Sequence, residues 1–211
     1  MKYKDFRDFK IVRTCNKKYK NCKSYQKYLE KDFKHRCAYC NTLDFVVKPL
    51  PYHVEHYIPY NVFKDKNLDL DNEYQNLMYA CPKCNFKKGD LFEGDMELKE
   101  IDNKLFYDPV KVDYNDIFYR DEYGTIGSDD EKGRNMITLL ELYKPIYNIA
   151  WLLDEIITTK TKIESKLQQP LSDDVRSELE CALTKINEYY IEVDAVFKNN
   201  YYNSTYRLKG L

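Results

Sequence analysis

The chain has 211 residues, of which 43% are hydrophobic, 33% charged and 15% aromatic, and its formal net charge is -1. That length buries a sizeable core, and the abundance of Tyr, Phe, Leu and Ile excludes disorder throughout. No uncharged apolar run approaches the ~18 residues of a membrane helix, and charges interrupt residues 1–10 where a secretory peptide needs its apolar stretch. The expected setting is therefore the cytoplasm, with no membrane partner.

Charge is unevenly spread. Residues 1–36 hold 13 Lys/Arg against 4 Asp/Glu, residues 37–88 balance at 6 and 6, and residues 89–211 carry 15 basic against 25 acidic side chains. A basic arm on an otherwise acidic chain points to a polyanion at one end, with solvated surface as the plainer alternative. Within the arm, Ser24–Phe33 is a helix candidate, Ser24 serving as N-cap and Tyr25, Tyr28, Leu29 and Phe33 sharing a face.

Four of the seven cysteines form two pairs, Cys37-Ala-Tyr-Cys40 and Cys81-Pro-Lys-Cys84. In a reducing compartment such pairs read as knuckles whose four thiolates close a tetrahedral shell around a structural Zn²⁺. The separation of the pairs exceeds the roughly 15–20 residues of a zinc ribbon, so something sizeable is inserted between them. Cys15, Cys22 and Cys181 are left over, and Cys15 and Cys22 have no further ligands near them in sequence. His35 abuts the first knuckle, but four cysteines already fill the shell.

The insert carries the chemistry. Tyr52–Ile58 alternates like a strand and stops at Pro59, Asn76–Cys81 reads as a second strand, and Pro82 opens a short helix that ends at Gly89. This β-β-α hairpin brings Glu55, His56, Asn76 and Asn85 into one unit. Glu55 and the Asn85 amide oxygen suit a hard cation, Mg²⁺ or Mn²⁺, and His56, adjacent on the strand, suits a general base for an attacking water. Asn76 can fix the loop between the strands through backbone groups. His53 shares a face with Glu55 and is a candidate further ligand or phosphate contact, with a hydrogen-bonded histidine as the alternative. Lys83, Lys87 and Lys88 surround the helix and are candidates for phosphate contacts.

These residues resemble the HNH (ββα-metal) endonuclease family, on Cys37–Cys40, Val54-Glu-His-Tyr-Ile-Pro59, Asn76-Leu77 and Cys81-Pro-Lys-Cys-Asn-Phe-Lys-Lys-Gly89. The resemblance implies an α+β fold with a zinc-stapled nuclease core, His56 as general base, Glu55 and Asn85 as metal ligands and Asn76 in a positioning role. It implies phosphodiester hydrolysis in nucleic acid, DNA being favoured over RNA. Asn85 stands where the family name implies His, and Glu55 where Asp is commoner. A narrower resemblance, through His53-Val-Glu-His56, Tyr107-Asp-Pro109, Phe118 and Gly124-Thr-Ile126, is to the small HNH proteins of Septu-like bacterial antiphage systems, and implies a partner ATPase. The competing expectation is a non-catalytic zinc-knuckle module that binds nucleic acid or serves as an adaptor.

Residues 93–133 read as an irregular connection and residues 134–211 as a helical region. Two apolar stripes, Ile146 to Leu167 and Val175 to Phe197, flank a turn at Gln169-Pro170, so an antiparallel helical hairpin is expected. Its acidity makes it a poor surface for phosphates, and its surplus of aromatics suggests docking to a protein, an ATPase or a second copy of this chain. The expected divisions are thus 1–36, 37–92, 93–133 and 134–211.

Overall fold

The computed structural model describes residues 3–66, 68–95 and 102–206, without the side chains of 203–206. Residues 1–2 of the expected arm, 96–101 of the expected connection and 207–211 of the expected helical region lie outside the described residues. In chain order the elements are β1 (Lys4–Asp5), α1 (Gln26–Asp32), α2 (Asp44–Val47), β2 (His53–His56), α3 (Tyr60–Phe63), β3 (Leu77–Ala80), α4 (Pro82–Lys88), β4 (Tyr119–Arg120), β5 (Ile126–Gly127), α5 (Glu131–Leu139), α6 (Pro145–Leu167) and α7 (Asp173–Tyr206). The chain divides once, into compact units Met1–Lys144 and Pro145–Leu211. The expected divisions at 36, 92 and 133 fall inside the first unit, and α5 belongs with the first unit rather than with the helical region.

The reason is burial. The basic arm is packed into the first unit rather than held apart from it. Phe6, Arg7, Phe9 and Ile11 are buried, and Arg7 donates to the Ala38 carbonyl at 2.8 Å inside the first knuckle. Its guanidinium lies over the Tyr114 ring at 4.5 Å, and burial lowers its pKa from the ordinary value. Arg13 donates to the Leu77 carbonyl at 2.6 Å and stacks on Tyr74. Two of the arm's cations are therefore structural, their long stems covering apolar surface.

The helix expected over 24–33 begins as a 3-10 turn, Cys22–Tyr25, before α1 takes over. The cap is Asn21, whose side chain accepts from the Lys23 amide at 2.9 Å, rather than Ser24. Ser24 instead donates its amide to the Asn21 carbonyl, so the tighter turn has already begun there.

β2 and β3 pair antiparallel, with His53 opposite Ala80, Val54 opposite Tyr79, Glu55 opposite Met78 and His56 opposite Leu77. All four residues of β3 are buried, so it lies between layers rather than at a solvated face. Proline at the first position of α4 has no amide to lose there, and Gly89, at φ 45°, lets the chain turn away after the helix. A second sheet, in the order β1-β4-β5, joins the chain's start to the segment expected to be irregular.

In the second unit α6 and α7 pack as a hairpin. Tyr147, Ala150, Leu153 and Ile156 are buried on α6, as are Val193, Phe197 and Tyr201 on α7. Farther along, Ile163, Leu167, Leu179, Ala182 and Ile186 are only half-buried, and Val175 is exposed. Two helices share a single seam, so the stripes cannot be covered along their full width. No helix among the described residues is long and apolar enough to cross a membrane.

Candidate functional site

The two cysteine pairs converge. Cys37, Cys40, Cys81 and Cys84 are buried, and their sulfurs all lie within 4.8 Å of one another. Cys40 Sγ and Cys81 Sγ are 3.8 Å apart. A tetrahedron with metal–sulfur bonds of ~2.3 Å has edges of about 3.8 Å, so the Cys40–Cys81 separation matches that of a Zn²⁺ shell and the whole cluster is compact enough to close on one. Backbone amides of Cys81 and Cys84 point at the sulfurs of Cys37 and Cys81, at 3.3 and 3.4 Å. Burial pushes the Cys81 and Cys84 thiols well up. Burial also raises Cys40, yet hydrogen bonds from Cys37, Cys81, Cys84 and Thr42 outweigh it and leave Cys40 well below the ordinary thiol value. The surroundings thus favour the thiolate at Cys40 and the neutral thiol at Cys81 and Cys84, which a bound dication would help to ionise.

The centre fastens both arms of the hairpin. Ala38 in the first knuckle donates its amide to Tyr79 of β3 at 2.8 Å, and α4 begins at Cys81. Tyr39, fully buried within the same knuckle, donates its hydroxyl to Glu55 Oε2 at 2.6 Å. Burial, then the Glu55 charge, holds the Tyr39 phenol well above its usual value, so it stays protonated and donating.

Glu55 is not presented as an open cation ligand. It is buried, and its Oε1 pairs with Lys88 Nζ at 2.5 Å while Tyr39 takes the other oxygen. Lys88 is itself completely buried and also donates to the His56 carbonyl at 2.9 Å. Two expectations are corrected by this pair. Lys88 is not a surface phosphate contact, because both its exposure and its donors are spent inside. The Glu55 carboxylate, as placed, already faces a cation, the ammonium of Lys88. For the expected oxygen pair of Glu55 and Asn85 to hold Mg²⁺, the cation has to displace Lys88 from Glu55. The sequence could not show this, since Lys88 is 33 positions from Glu55 and its burial is a property of the packed unit.

His56 is half-buried at the end of β2. Its Nε2 lies 2.9 Å from the Asp71 carbonyl oxygen and 3.2 Å from Asp71 Oδ1. Asp71 was not singled out from the sequence; it sits in an acidic loop with no motif of its own. Its position is set by Asn76, which is buried and bonds both backbone groups of Ile58, at 2.8 and 3.2 Å, and the Leu70 carbonyl at 3.1 Å. Asn85 is half-buried on the second turn of α4, its amide bonded to the Cys81 carbonyl. His53 is exposed at the opposite end of β2 from His56.

The remaining lysines differ from one another. Lys87 is half-buried and paired with Glu141 at 2.7 Å, an acid that Lys144 also holds. It is thus engaged within the unit rather than set out for phosphate. Lys83 is half-buried, and burial lowers its pKa. His35 lies outside the cysteine shell, its Nδ1 3.1 Å from Asp44 and 3.4 Å from Glu30.

Residues 37–91 match the family described as HNH endonuclease, a stretch that runs from the first knuckle to just past α4 and covers about a quarter of the chain. No curated protein and no solved structure matches the chain. The HNH match suggests a metal-dependent nuclease, and the buried cysteine cluster is compatible with structural zinc.

Two outcomes follow from the geometry. Elemental analysis of dialysed protein is expected to show one retained zinc per chain, and Cys84→Ser is expected to lose it together with the folded first unit, read by far-UV circular dichroism. Retention of that zinc by Cys84→Ser would place it elsewhere. Separately, Lys88→Ala strands a buried carboxylate and is expected to cost about 3–5 kcal/mol in urea unfolding, whereas the double change Lys88→Met with Glu55→Leu recovers much of it.

Proposed function

We propose that this chain is a metal-dependent HNH endonuclease that hydrolyses phosphodiester bonds in nucleic acid, with DNA as the substrate. The observation that carries the reading is the bond from His56 to the Asp71 carbonyl, within the segment matched to the HNH family. A carbonyl oxygen can only accept, so Nε2 is the donor and Nδ1 is the ring nitrogen left to face water. In this reading Nδ1 of His56 removes a proton from the attacking water. As that water's oxygen bonds to phosphorus, the bond from phosphorus to the leaving sugar oxygen breaks, and the leaving oxygen takes its proton from solvent. Lys88, by holding the His56 carbonyl, fixes the main chain that carries the base.

A divalent cation, Mg²⁺ or Mn²⁺, supplies Lewis-acid stabilisation of the phosphate when bound. In this reading Asn85 is an oxygen donor from α4, and Glu55 becomes one only if Lys88 releases it. Substrate approach is supported by charge: Lys17, Lys18, Lys20 and Lys23 are exposed on the stretch that leads past Cys22 to the neighbourhood of His56. Among the lysines of α4, Lys83 is the one proposed to meet phosphate.

The finer assignment is a Septu-like antiphage component acting with a partner ATPase. It rests on the sequence resemblance through His53–His56 and Tyr107–Ile126. The proposed docking element is the second unit, where α7 exposes Tyr189, Ile191 and Val196; a second copy of the chain is the alternative occupant. Co-expression with an ATPase encoded next to this chain is the check, and a complex that survives removal of residues 145–211 would place docking on the first unit. The competing reading, a non-catalytic zinc-knuckle module, is favoured by one observation, the closure of Glu55 by Lys88.

Plasmid cleavage separates the two. With Mg²⁺ or Mn²⁺ the wild type is expected to cleave, and His56→Ala to lose at least ~10²–10⁴-fold in rate with zinc content and circular dichroism unchanged. Cleavage by His56→Ala at the wild-type rate would remove the proposed base, and no cleavage by either would favour the binding module.

A further inference from the structure

Three side chains from distant parts of the sequence meet at the end of β2, and the reaction proposed above uses only one of them, that of His56. Cys22 opens the 3-10 turn Cys22–Tyr25, His56 closes β2, and Asp71 lies in the loop ahead of Tyr74–Asn76. One ligand atom of each, a thiol sulfur, an imidazole nitrogen and a carboxylate oxygen, lies within 4.8 Å of the other two. All three residues are half-buried. From the sequence Cys22 has no companions; the fold supplies them.

Each is held by a different anchor. The Asn21 side chain caps the turn that carries Cys22. Lys88 holds the backbone of His56, and Asn76 holds the loop at Leu70, next to Asp71. The set is thus fixed in the fold before any ion arrives.

Thiolate, imidazole and carboxylate together are a zinc donor set: three protein ligands leave a fourth position for water. Bonds of ~2.0–2.3 Å place tetrahedral ligands about 3.3–3.8 Å apart, so small side-chain movements of roughly 1 Å close the shell. Mg²⁺ discriminates against such a site, because it demands oxygen ligands. Access also differs from the four-cysteine centre. The Asp71 side chain is 43% exposed and that of His56 18%, so an ion here exchanges with solvent.

We propose that Cys22, His56 and Asp71 form a second, exchangeable Zn²⁺ site, and that zinc bound there silences the nuclease by occupying its general base. On binding, the Cys22 thiol gives its proton to water and the sulfur, one imidazole nitrogen and a carboxylate oxygen each donate a lone pair to the metal. Zinc on Nδ1 takes the lone pair that would have accepted the water proton. Zinc on Nε2 replaces the bond to the Asp71 carbonyl and moves the remaining proton to Nδ1. Either way the base is lost. The silencing half rests on the nuclease reading; the zinc-binding half does not.

The full-length protein, carrying its retained zinc, is dialysed against added Zn²⁺ in Mg²⁺ buffer, and the metal is counted. Wild type is expected to take up one further zinc per chain, and Cys22→Ser to bind it at least about tenfold more weakly. Co²⁺ added in its place is expected to give a sulfur-to-cobalt charge-transfer band in wild type that Cys22→Ser lacks. The group Glu30, His35 and Asp44 is the competing location for added metal, and His35→Ala is expected to leave the uptake unchanged. In the cleavage assay Zn²⁺ is expected to stop wild type, while Cys22→Ser cleaves at the wild-type rate and resists the same zinc. Equal uptake by Cys22→Ser, or loss of uptake in His35→Ala, overturns the site. Uptake at Cys22 that leaves cleavage untouched overturns the silencing. Uptake as described in a protein that cleaves nothing under any condition refutes the nuclease reading and leaves the zinc site standing.

Discussion

Four thiols enclosed within 4.8 Å of one another, without contact to solvent, set the terms for the first unit. Burial opposes charge on Cys81 and Cys84, and a bound dication would offset that penalty. Apparent zinc binding energies of ~10–16 kcal/mol in peptide systems are comparable to or exceed the net stability of most small domains, so zinc bound there would rank among the fold's main stabilising terms. What depends on it is close at hand. One knuckle contributes Tyr39 to Glu55 and receives Arg7 from the chain's start; the other opens α4, whose last residue, Lys88, reaches Glu55 and the His56 carbonyl. His56 is therefore tied to the cysteine cluster through Tyr39, Glu55 and Lys88.

That arrangement gives the Glu55–Lys88 pair a clear physical character. Neither group touches water to any useful extent, and each would be costly alone. Together, with Tyr39 and the His56 carbonyl completing their hydrogen bonds, they form a small satisfied network between β2 and α4. The same network removes the carboxylate from open view. A cation at Glu55 must therefore compete with an ammonium already in place, which raises the electrostatic threshold for loading the site.

How much of this was legible in the sequence depended on how local the signal was. The knuckles, Pro82 at the start of α4 and Gly89 after it are set by spacing and backbone chemistry over a few residues, and they lie where the pattern puts them. The helical hairpin was readable for the same reason, its apolar positions recurring every three or four residues. The partners of Glu55, His56 and Cys22 were not readable, because Lys88, Asp71 and the 3-10 turn reach them only after the chain has folded. Composition misled at the arm. Thirteen basic residues in 36 point to a polyanion or to solvated surface, yet Arg7 and Arg13 spend their charge on carbonyls and aromatic rings inside the unit. Charge counts do not distinguish a guanidinium that faces water from one that closes a core.

The clasp made by Asn76 has a consequence for how this fold can vary in length. Its side chain grips Ile58 on one side and Leu70 on the other, while Asp71, one residue on, meets His56. The stretch from Leu70 to Asn76 thus behaves as a hook of fixed size, whose two ends must both engage. Among the described residues from Lys64 to Asp69, none is gripped by Asn76. Growth or shortening of the chain is cheap there, since lengthening a loop adds closure entropy only slowly. Length variation among descendants of this fold should collect before Leu70 and spare the hook, making that segment the natural place for lineages to acquire new surface without disturbing the base.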